Sequence, residues 1–391
     1  MAIRYLPRSS SVRTAALAIV ALALLPTPFA AAATAEPAPP KPVPAYSSTL
    51  LDRPGTQAKP GAGAPALPDG VSALSWLVAD ARTGEVLAAH NAHRQLPPAS
   101  TLKSLFALTA LPHLDAAARH KVSASELSGV GDGSSLVGVE AGRSYRVSDL
   151  WRGVFLSSGN DAVHVLAELN GGWQQTVRQM RAKARALGAR DTHVVSPDGY
   201  DAAGQVSSAY DLAVFGRAGL ADPEFARYCA TPFAQFPHGN WSHPIRNTNR
   251  LLTGADGVAR YPGLIGIKNG YTSRAGHTLI SAAQRGNRTL VVSVMNPQEG
   301  GGHAVYEEAR WLLDWGFKAA GRVQPVGSLL SQSEQSRTAL GPAPAAPSPE
   351  SDDSDWTAIL LVGAGSAVVL VGAVLMIRRR TARAYRSSGR D

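Results

Sequence analysis

The 391-residue chain has a single cysteine, Cys229, so no intrachain disulfide can form. A cysteine nucleophile is conceivable there, but a lone cysteine reads first as a small buried hydrophobe. No HExxH motif is present. His238 and His243 lie close together without the rest of a zinc-peptidase pattern. Internal repeats at solenoid or propeller spacing are absent. The high positive charge is also less than it looks. Arg4, Arg8 and Arg13 contribute +3 and the last fourteen residues +5, which leaves +1 of the formal +9 for everything between. A nearly neutral middle gives no argument for nucleic acid.

The ends carry the topology. Residues 1–35 have a basic start, an apolar run from Ala15 to Leu25, two prolines and an alanine-rich stretch, the pattern of a cleaved secretory signal. Thr357–Ile377 is 21 residues without a charge, enough helix to span roughly 30 Å, one hydrocarbon core. Six arginines follow in residues 378–391, and arginines at one flank place that flank in the cytoplasm. The expectation is a single-pass protein of the cell membrane, its bulk extracytoplasmic and tethered by its C-terminus. Pro-, Ala- and Gly-rich segments at 36–68 and within 326–356 read as linkers. Between them, 69–325 is one large domain or two lobes around a cleft.

Strand patterns occur at Ala73–Asp80 and Glu85–His90, joined by the turn 81–84. Helical spacing follows over Thr101–Leu111, Ser148–Phe155, Asp161–Leu169, Gln174–Leu187 and Ser208–Gly219. Strands return at Leu264–Tyr271, His277–Gln284 and Thr289–Asn296, and Val305–Phe317 is an amphipathic helix. Strands from both ends of the domain should therefore share one antiparallel sheet with helices between and around it, an α+β fold.

Three short motifs carry chemistry. Ser100 opens a helix, where serine is ordinarily an N-cap. Lys103, three residues on, lies one turn away on the same face and can accept the hydroxyl proton if its amine is neutral. Burial and a second cation both favour the neutral amine, and Lys268 could be that cation. Ser158-Gly159-Asn160 sits between two helices. Ser158 can relay a proton and Asn160 can hold Lys103 and the substrate backbone, while Asp161 could simply cap the next helix. Lys268-Asn269-Gly270 ends a strand. Lys268 could face water or hold a substrate carboxylate, with glycines on either side allowing close approach. Arg274 could add a second positive group.

In order, spacing and flanks these motifs resemble the low-molecular-mass penicillin-binding proteins, the serine D-alanyl-D-alanine carboxypeptidases of peptidase family S11. The resemblance extends to Pro197-Asp198-Gly199, to 208–213 and to Asn247-Thr248-Asn249. It implies a β-lactamase/transpeptidase-like fold with an antiparallel sheet and an all-helical lobe. It implies Ser100 as the acylated nucleophile, Lys103 as proton acceptor, Ser158 as its partner, and an oxyanion hole from the amides of Ser100 and Tyr271. Substrate contacts fall to Asn160, Lys268, Asn269, Gly270, Tyr271 and Arg274. The implied partners are peptidoglycan stem peptides ending in D-Ala-D-Ala, and β-lactams as acylating inhibitors. No metal or cofactor is implied. Asn269 departs from the family's usual threonine. A DD-endopeptidase, a class A-like β-lactamase and a non-catalytic β-lactam or cell-wall sensor share the fold. The β-lactamase needs a glutamate between the second and third motifs, and 191–205 has none.

Overall fold

The structure, a computed structural model, describes residues 50–331 and 334–335. Strands β1 (Thr56–Pro60), β2 (Ser75–Asp80) and β3 (Glu85–His90) come first. A 3-10 turn, Ala99–Leu102, runs into helix α1 (Lys103–Ala110). Small elements follow, β4 (Arg119–Lys121), α2 (Ala124–Leu127) and β5 (Ser144–Arg146). Helices α3 (Val147–Leu156), α4 (Asn160–Leu169), α5 (Trp173–Ala186), α6 (Ala209–Leu220) and α7 (Pro223–Cys229) form the middle of the chain. A hairpin of β6 (Phe233–His238) and β7 (Trp241–Arg246) and the short helix α8 (Arg250–Thr253) lead to β8 (Leu264–Thr272), β9 (Gly276–Arg285) and β10 (Arg288–Met295). Helix α9 (Ala304–Ala319), β11 (Val323–Gln324) and β12 (Gly327–Ser328) complete it.

Eight of these strands form one antiparallel sheet, ordered β11-β1-β3-β2-β10-β9-β8 with β12 on β3. Strands from the two ends of the domain do meet, β2 pairing with β10 from Ser75↔Met295 to Asp80↔Leu290. The sheet is α+β as expected, and both its faces are covered. Side chains alternate faces along a strand. In β2, Leu77 and Ala79 enter the core under the helical part, whereas Trp76 and Val78 enter the core under α9. That double burial explains why β2 reads as an unbroken apolar run rather than an alternating one. Helix α9 buries Val305, Tyr306, Ala309, Leu312 and Leu313, the i, i+3/i+4 stripe visible in sequence.

The domain is longer than 69–325 at both ends. Leu51 is buried in the larger core and β1 pairs with β3, although both lie in the stretch read as linker. An added strand needs only a few backbone partners, so a short segment rich in Pro and Gly can enter a sheet. At the other end Val326, Leu329 and Leu330 are buried, and the Val326 and Leu329 amides donate to the Val86 and Gly84 carbonyls. The signal segment 1–35, residues 36–49, most of 332–356, Thr357–Ile377 and 378–391 lie outside the described residues. Among the described residues, no helix is long and apolar enough to cross a membrane.

Candidate active site

Three elements converge on Ser100. Its 3-10 turn carries no side-chain cap, so the Ser100 hydroxyl is not used as the N-cap a serine at this position would ordinarily be. The preceding Ala99 has φ +49, which a residue with a Cβ adopts only under constraint. Part of that constraint comes from Thr278 on β9 and from Thr101, whose hydroxyls both donate to the Pro98 carbonyl, at 2.9 and 2.5 Å. The rest is steric. A Cβ at Gly199 would stand 2.1 Å from the Ala99 carbonyl oxygen, and one at Gly270 would stand 2.7 Å from the Ser100 amide nitrogen. Both neighbours must be glycine for the Ala99–Ser100 backbone to lie where it does.

Lys103 is 1 % exposed. Its Nζ lies 2.7 Å from Ser100 Oγ, 2.7 Å from Asn160 Oδ1 and 2.6 Å from the Asp198 carbonyl oxygen. Two of these partners can only accept; the hydroxyl can also donate. A neutral amine, with two N–H bonds and one lone pair, therefore satisfies the two carbonyls and turns its lone pair on Ser100. Burial pushes the Lys103 pKa down to about 8, against the opposing pull of the Asp198 and Asp161 carboxylates.

The second motif is the turn between α3 and α4. Ser158 sits at φ +59, is 6 % exposed, and its Oγ has no hydrogen-bond partner. A buried hydroxyl at a backbone angle that residues with a Cβ rarely adopt marks a candidate functional group. Asn160 is fixed from three sides. Its Oδ1 accepts a hydrogen bond from Lys103 Nζ, its Nδ2 donates to Ser134 Oγ at 3.0 Å, and its amide donates to the Ser135 carbonyl at 2.8 Å. Asp161 is not the N-cap residue, which is Gly159, although its Oδ1 accepts from the first-turn amide of Ala162 at 2.9 Å. Its carboxylate accepts from the amides of Val137, Gly138 and Val139 and so pins the loop that carries Ser134 and Ser135.

The third motif lies on the sheet-edge strand β8, where a lysine would ordinarily face water. Lys268 instead is 2 % exposed. The strand is irregular two residues earlier, with Gly266 at φ +104 and Ile267 at φ +132, and a break of this kind re-aims side chains. Lys268 Nζ donates to the Asn269 carbonyl at 2.8 Å. Burial, and then the Lys103 ammonium, hold its pKa well below the ordinary lysine range, so the two amines sense each other across the site. The Thr248 hydroxyl donates to Asn269 Oδ1 at 2.8 Å, which leaves the amide's N–H₂ side as a donor.

Above these groups opens a cleft of about 280 Å³, whose wall includes Ser100, Asn160, Gly199, Tyr200 and Tyr271. Tyr271 is 62 % exposed and packs its ring on His277. Arg274 is exposed and lines a neighbouring cavity of about 150 Å³ with Pro97 and Gly204, and it is not in the cleft wall. A larger cavity of about 600 Å³, bordered by His93, Tyr210 and Asp211, contains none of the motif residues. Glu168 is exposed near the end of α4, and among the described residues no glutamate lines the cleft. Cys229 is buried, and burial pushes its thiol up to about 12, which leaves it protonated and unreactive. Among the described residues no cluster of His, Cys, Asp or Glu could hold a metal.

Sequence reading missed three supporting groups. The Asp198 carbonyl that holds Lys103 is a backbone atom, visible only as the turn signal Pro197-Asp198-Gly199. Thr248 is visible only as the middle of Asn247-Thr248-Asn249, with no sign that it bonds Asn269, and Ser134 bonds Asn160 from a distant loop and leaves no local trace.

A buried serine–lysine pair beside a serine–glycine–asparagine turn and a lysine-bearing sheet strand defines a serine acyl-transfer site on the penicillin-binding fold. Residues 62–299 match the family model of peptidase S11, D-alanyl-D-alanine carboxypeptidase. D-alanyl-D-alanine carboxypeptidase DacB2 of Mycobacterium tuberculosis is 43 % identical over 274 residues, 68 % of this chain and 89 % of that one. A crystal structure of the D-alanyl-D-alanine carboxypeptidase from M. tuberculosis matches with TM-score 0.63 at 41 % identity, covering 70 % of this chain and 100 % of that one. Penicillin binding protein 6B from Escherichia coli matches with TM-score 0.58 at 33 % identity, over 67 % of this chain and 82 % of that one. The chain belongs to the peptidase S11 family of D-alanyl-D-alanine carboxypeptidases.

Proposed function

We propose that this chain is a serine D-alanyl-D-alanine carboxypeptidase that removes the terminal D-alanine from peptidoglycan stem peptides and is acylated by β-lactams. The observation that carries the mechanism is the three-way bonding of Lys103, two pure acceptors and one hydroxyl. The peptide's terminal carboxylate binds toward Lys268, helped by the Asn269 amide. An anion there favours a charged Lys268, and the charge so held repels the proton on Lys103. Neutral Lys103 takes the Ser100 proton as Oγ bonds the carbonyl carbon between the two D-alanines. The oxyanion is held by the Ser100 and Tyr271 amides. Removing one such donor typically costs ~10²–10³ in rate. As the C–N bond breaks, the proton passes from Lys103 through the Ser158 hydroxyl to the leaving D-alanine nitrogen. Water then attacks the ester, gives its proton to Lys103, and Ser100 leaves with that proton restored.

The experiment is incubation with a defined stem pentapeptide and with a crosslinked dimer, followed by mass analysis. Loss of one alanine from the pentapeptide, with the crosslink intact, is the expected result. Cleavage of the crosslink in preference would make the enzyme an endopeptidase.

The proposed setting is the outer face of the cell membrane. Supporting it are the basic-apolar-alanine pattern of residues 1–35, the uncharged run 357–377 and the six arginines after it. A chain ending at residue 340 should leave the membrane fraction, and full retention of that shortened chain would contradict the tether.

A further inference from the structure

Helix α5 carries charge of one sign. It contains Arg178, Arg181, Lys183 and Arg185 and no aspartate or glutamate, and Arg190 follows it. The helix buries Thr176, Val177, Met180 and Ala184 and packs on α1. Arg178, Arg181 and Arg185, at i, i+3 and i+7, share another face. Arg178, Arg185 and Arg190 are exposed, and among the described residues none of the five cations has an ion-pair partner. The nearby acids are engaged elsewhere. In the wall of the 600 Å³ cavity that Arg185 and Arg190 border, Asp191 and Asp52 face His93 at 2.7 and 3.8 Å, and Asp211 accepts from the Thr192 hydroxyl at 2.6 Å.

The chain leaves the domain at the same corner. Ser331 and Gln335 share the cavity wall with Arg185 and Arg190, and a Cβ at Gly188 would stand 3.9 Å from the Ser331 Cα. Arg217 pairs with Glu334 at 3.1 Å, and the Gln335 side-chain amide donates to the Leu330 carbonyl at 2.8 Å, so the exit is fastened down. Residues 336–356 then lead to the uncharged run that begins at Thr357. Fully extended, that connection spans at most roughly 70 Å at ~3.3 Å per residue. Cations beside the exit of a membrane tether fit an anionic partner at the tether's far end. We propose that Arg178, Arg185 and Arg190 dock the domain against the anionic phospholipid headgroups of the membrane that holds it. This rests on the membrane setting proposed above. The cleft wall and this surface have no residue in common, so docking and catalysis use separate faces. Attraction of this kind fades within about a Debye length, ~8–10 Å, and gains its effect from the high local lipid concentration that the tether imposes. A chain shortened to residue 340 therefore still leaves the membrane.

The test places the full chain in nanodiscs of phosphatidylcholine alone, or of phosphatidylcholine and phosphatidylglycerol in equal parts. Ala182→Cys, exposed between the arginines, carries a donor dye, and Cys229 is buried and does not compete for it. Energy transfer to an acceptor on the lipid headgroups is expected to rise about twofold with phosphatidylglycerol and to fall back as salt is added. In the triple variant Arg178→Gln, Arg185→Gln, Arg190→Gln the lipid effect should vanish, while penicillin acylation and the melting temperature stay at the parent's values. Equal transfer in the two lipids, or a gain that survives the triple substitution, would overturn the assignment. Binding of soluble polyglycerol phosphate by the parent and not by the triple variant, with no lipid effect, would overturn it in favour of an acidic wall polymer. A parent chain that does not enter the discs defeats the membrane setting and this inference with it, whereas one that enters with equal transfer defeats the docking alone.

Discussion

Lys103→Ala is expected to slow acylation of Ser100 by about 10²–10⁴-fold, the usual contribution of a general base, while the protein still melts cooperatively. The reason is local. Lys103 Nζ is in hydrogen-bond contact with the Ser100 hydroxyl, the proposed nucleophile, at 2.7 Å. The substitution removes a buried amine and leaves the Asn160 and Asp198 carbonyls without that donor, a loss of about 1–3 kcal/mol each if no water replaces it. The pH dependence gives the sign. A lysine at the ordinary 10.5 would be neutral in about 0.03 % of molecules at pH 7, whereas at about 8 roughly a tenth are neutral. Acylation in the parent enzyme should therefore rise about tenfold per pH unit below 8 and level off above it. In Lys103→Ala that rise should vanish. Stopped-flow acylation by a chromogenic cephalosporin across pH 6–10 measures both, and an unchanged profile in the variant would mean another base.

Gly199→Ala should damage the site and the fold together. The residue sits at φ +76, where a Cβ costs about 1–2 kcal/mol, and that Cβ would also lie 2.1 Å from the Ala99 carbonyl oxygen. Backbone cannot swing aside as a long side chain can, and overpacking of this kind adds about 1–3 kcal/mol. The sum corresponds to a melting temperature lowered by roughly 5–15 °C for a domain of this size. Relief of the clash has to move Ser100 or the Asp198 carbonyl, so turnover should fall even well below the melting point. Calorimetry with a parallel activity assay tests this, and a variant that melts and turns over like the parent would show that the contact yields freely.

Much of this site was legible because its chemistry is written in side chains at short spacing. Ser100 and Lys103 lie one turn apart in any helical continuation, and Ser158 and Asn160 flank a glycine between two well-marked helices. The central strands β2, β3, β9 and β10 and helices α3 to α6 and α9 were legible from apolar periodicity. What escaped depends on long-range contacts. The inward turn of Lys268 follows from an irregularity at Gly266–Ile267 that no local propensity announces. The hairpin β6–β7 contains Pro237 and Pro244, which argue against strand in isolation. Strand β1 and the Val326–Leu330 segment become ordered through the sheet edge and core they join. Besides the first-turn amide of Ala162, the Asp161 carboxylate clamps residues 137–139, which are distant in sequence. Arg274 is close in sequence to the third motif, but the strand end carries it to the adjoining cavity.

The account stands on Ser100 as the atom that forms the covalent bond. Intact-protein mass analysis after exposure to benzylpenicillin, with peptide mapping of the product, tests it most directly. One penicilloyl adduct on the peptide containing Ser100, absent from Ser100→Ala, is the predicted result. An adduct that persists in Ser100→Ala, or that maps to Ser158, would contradict it.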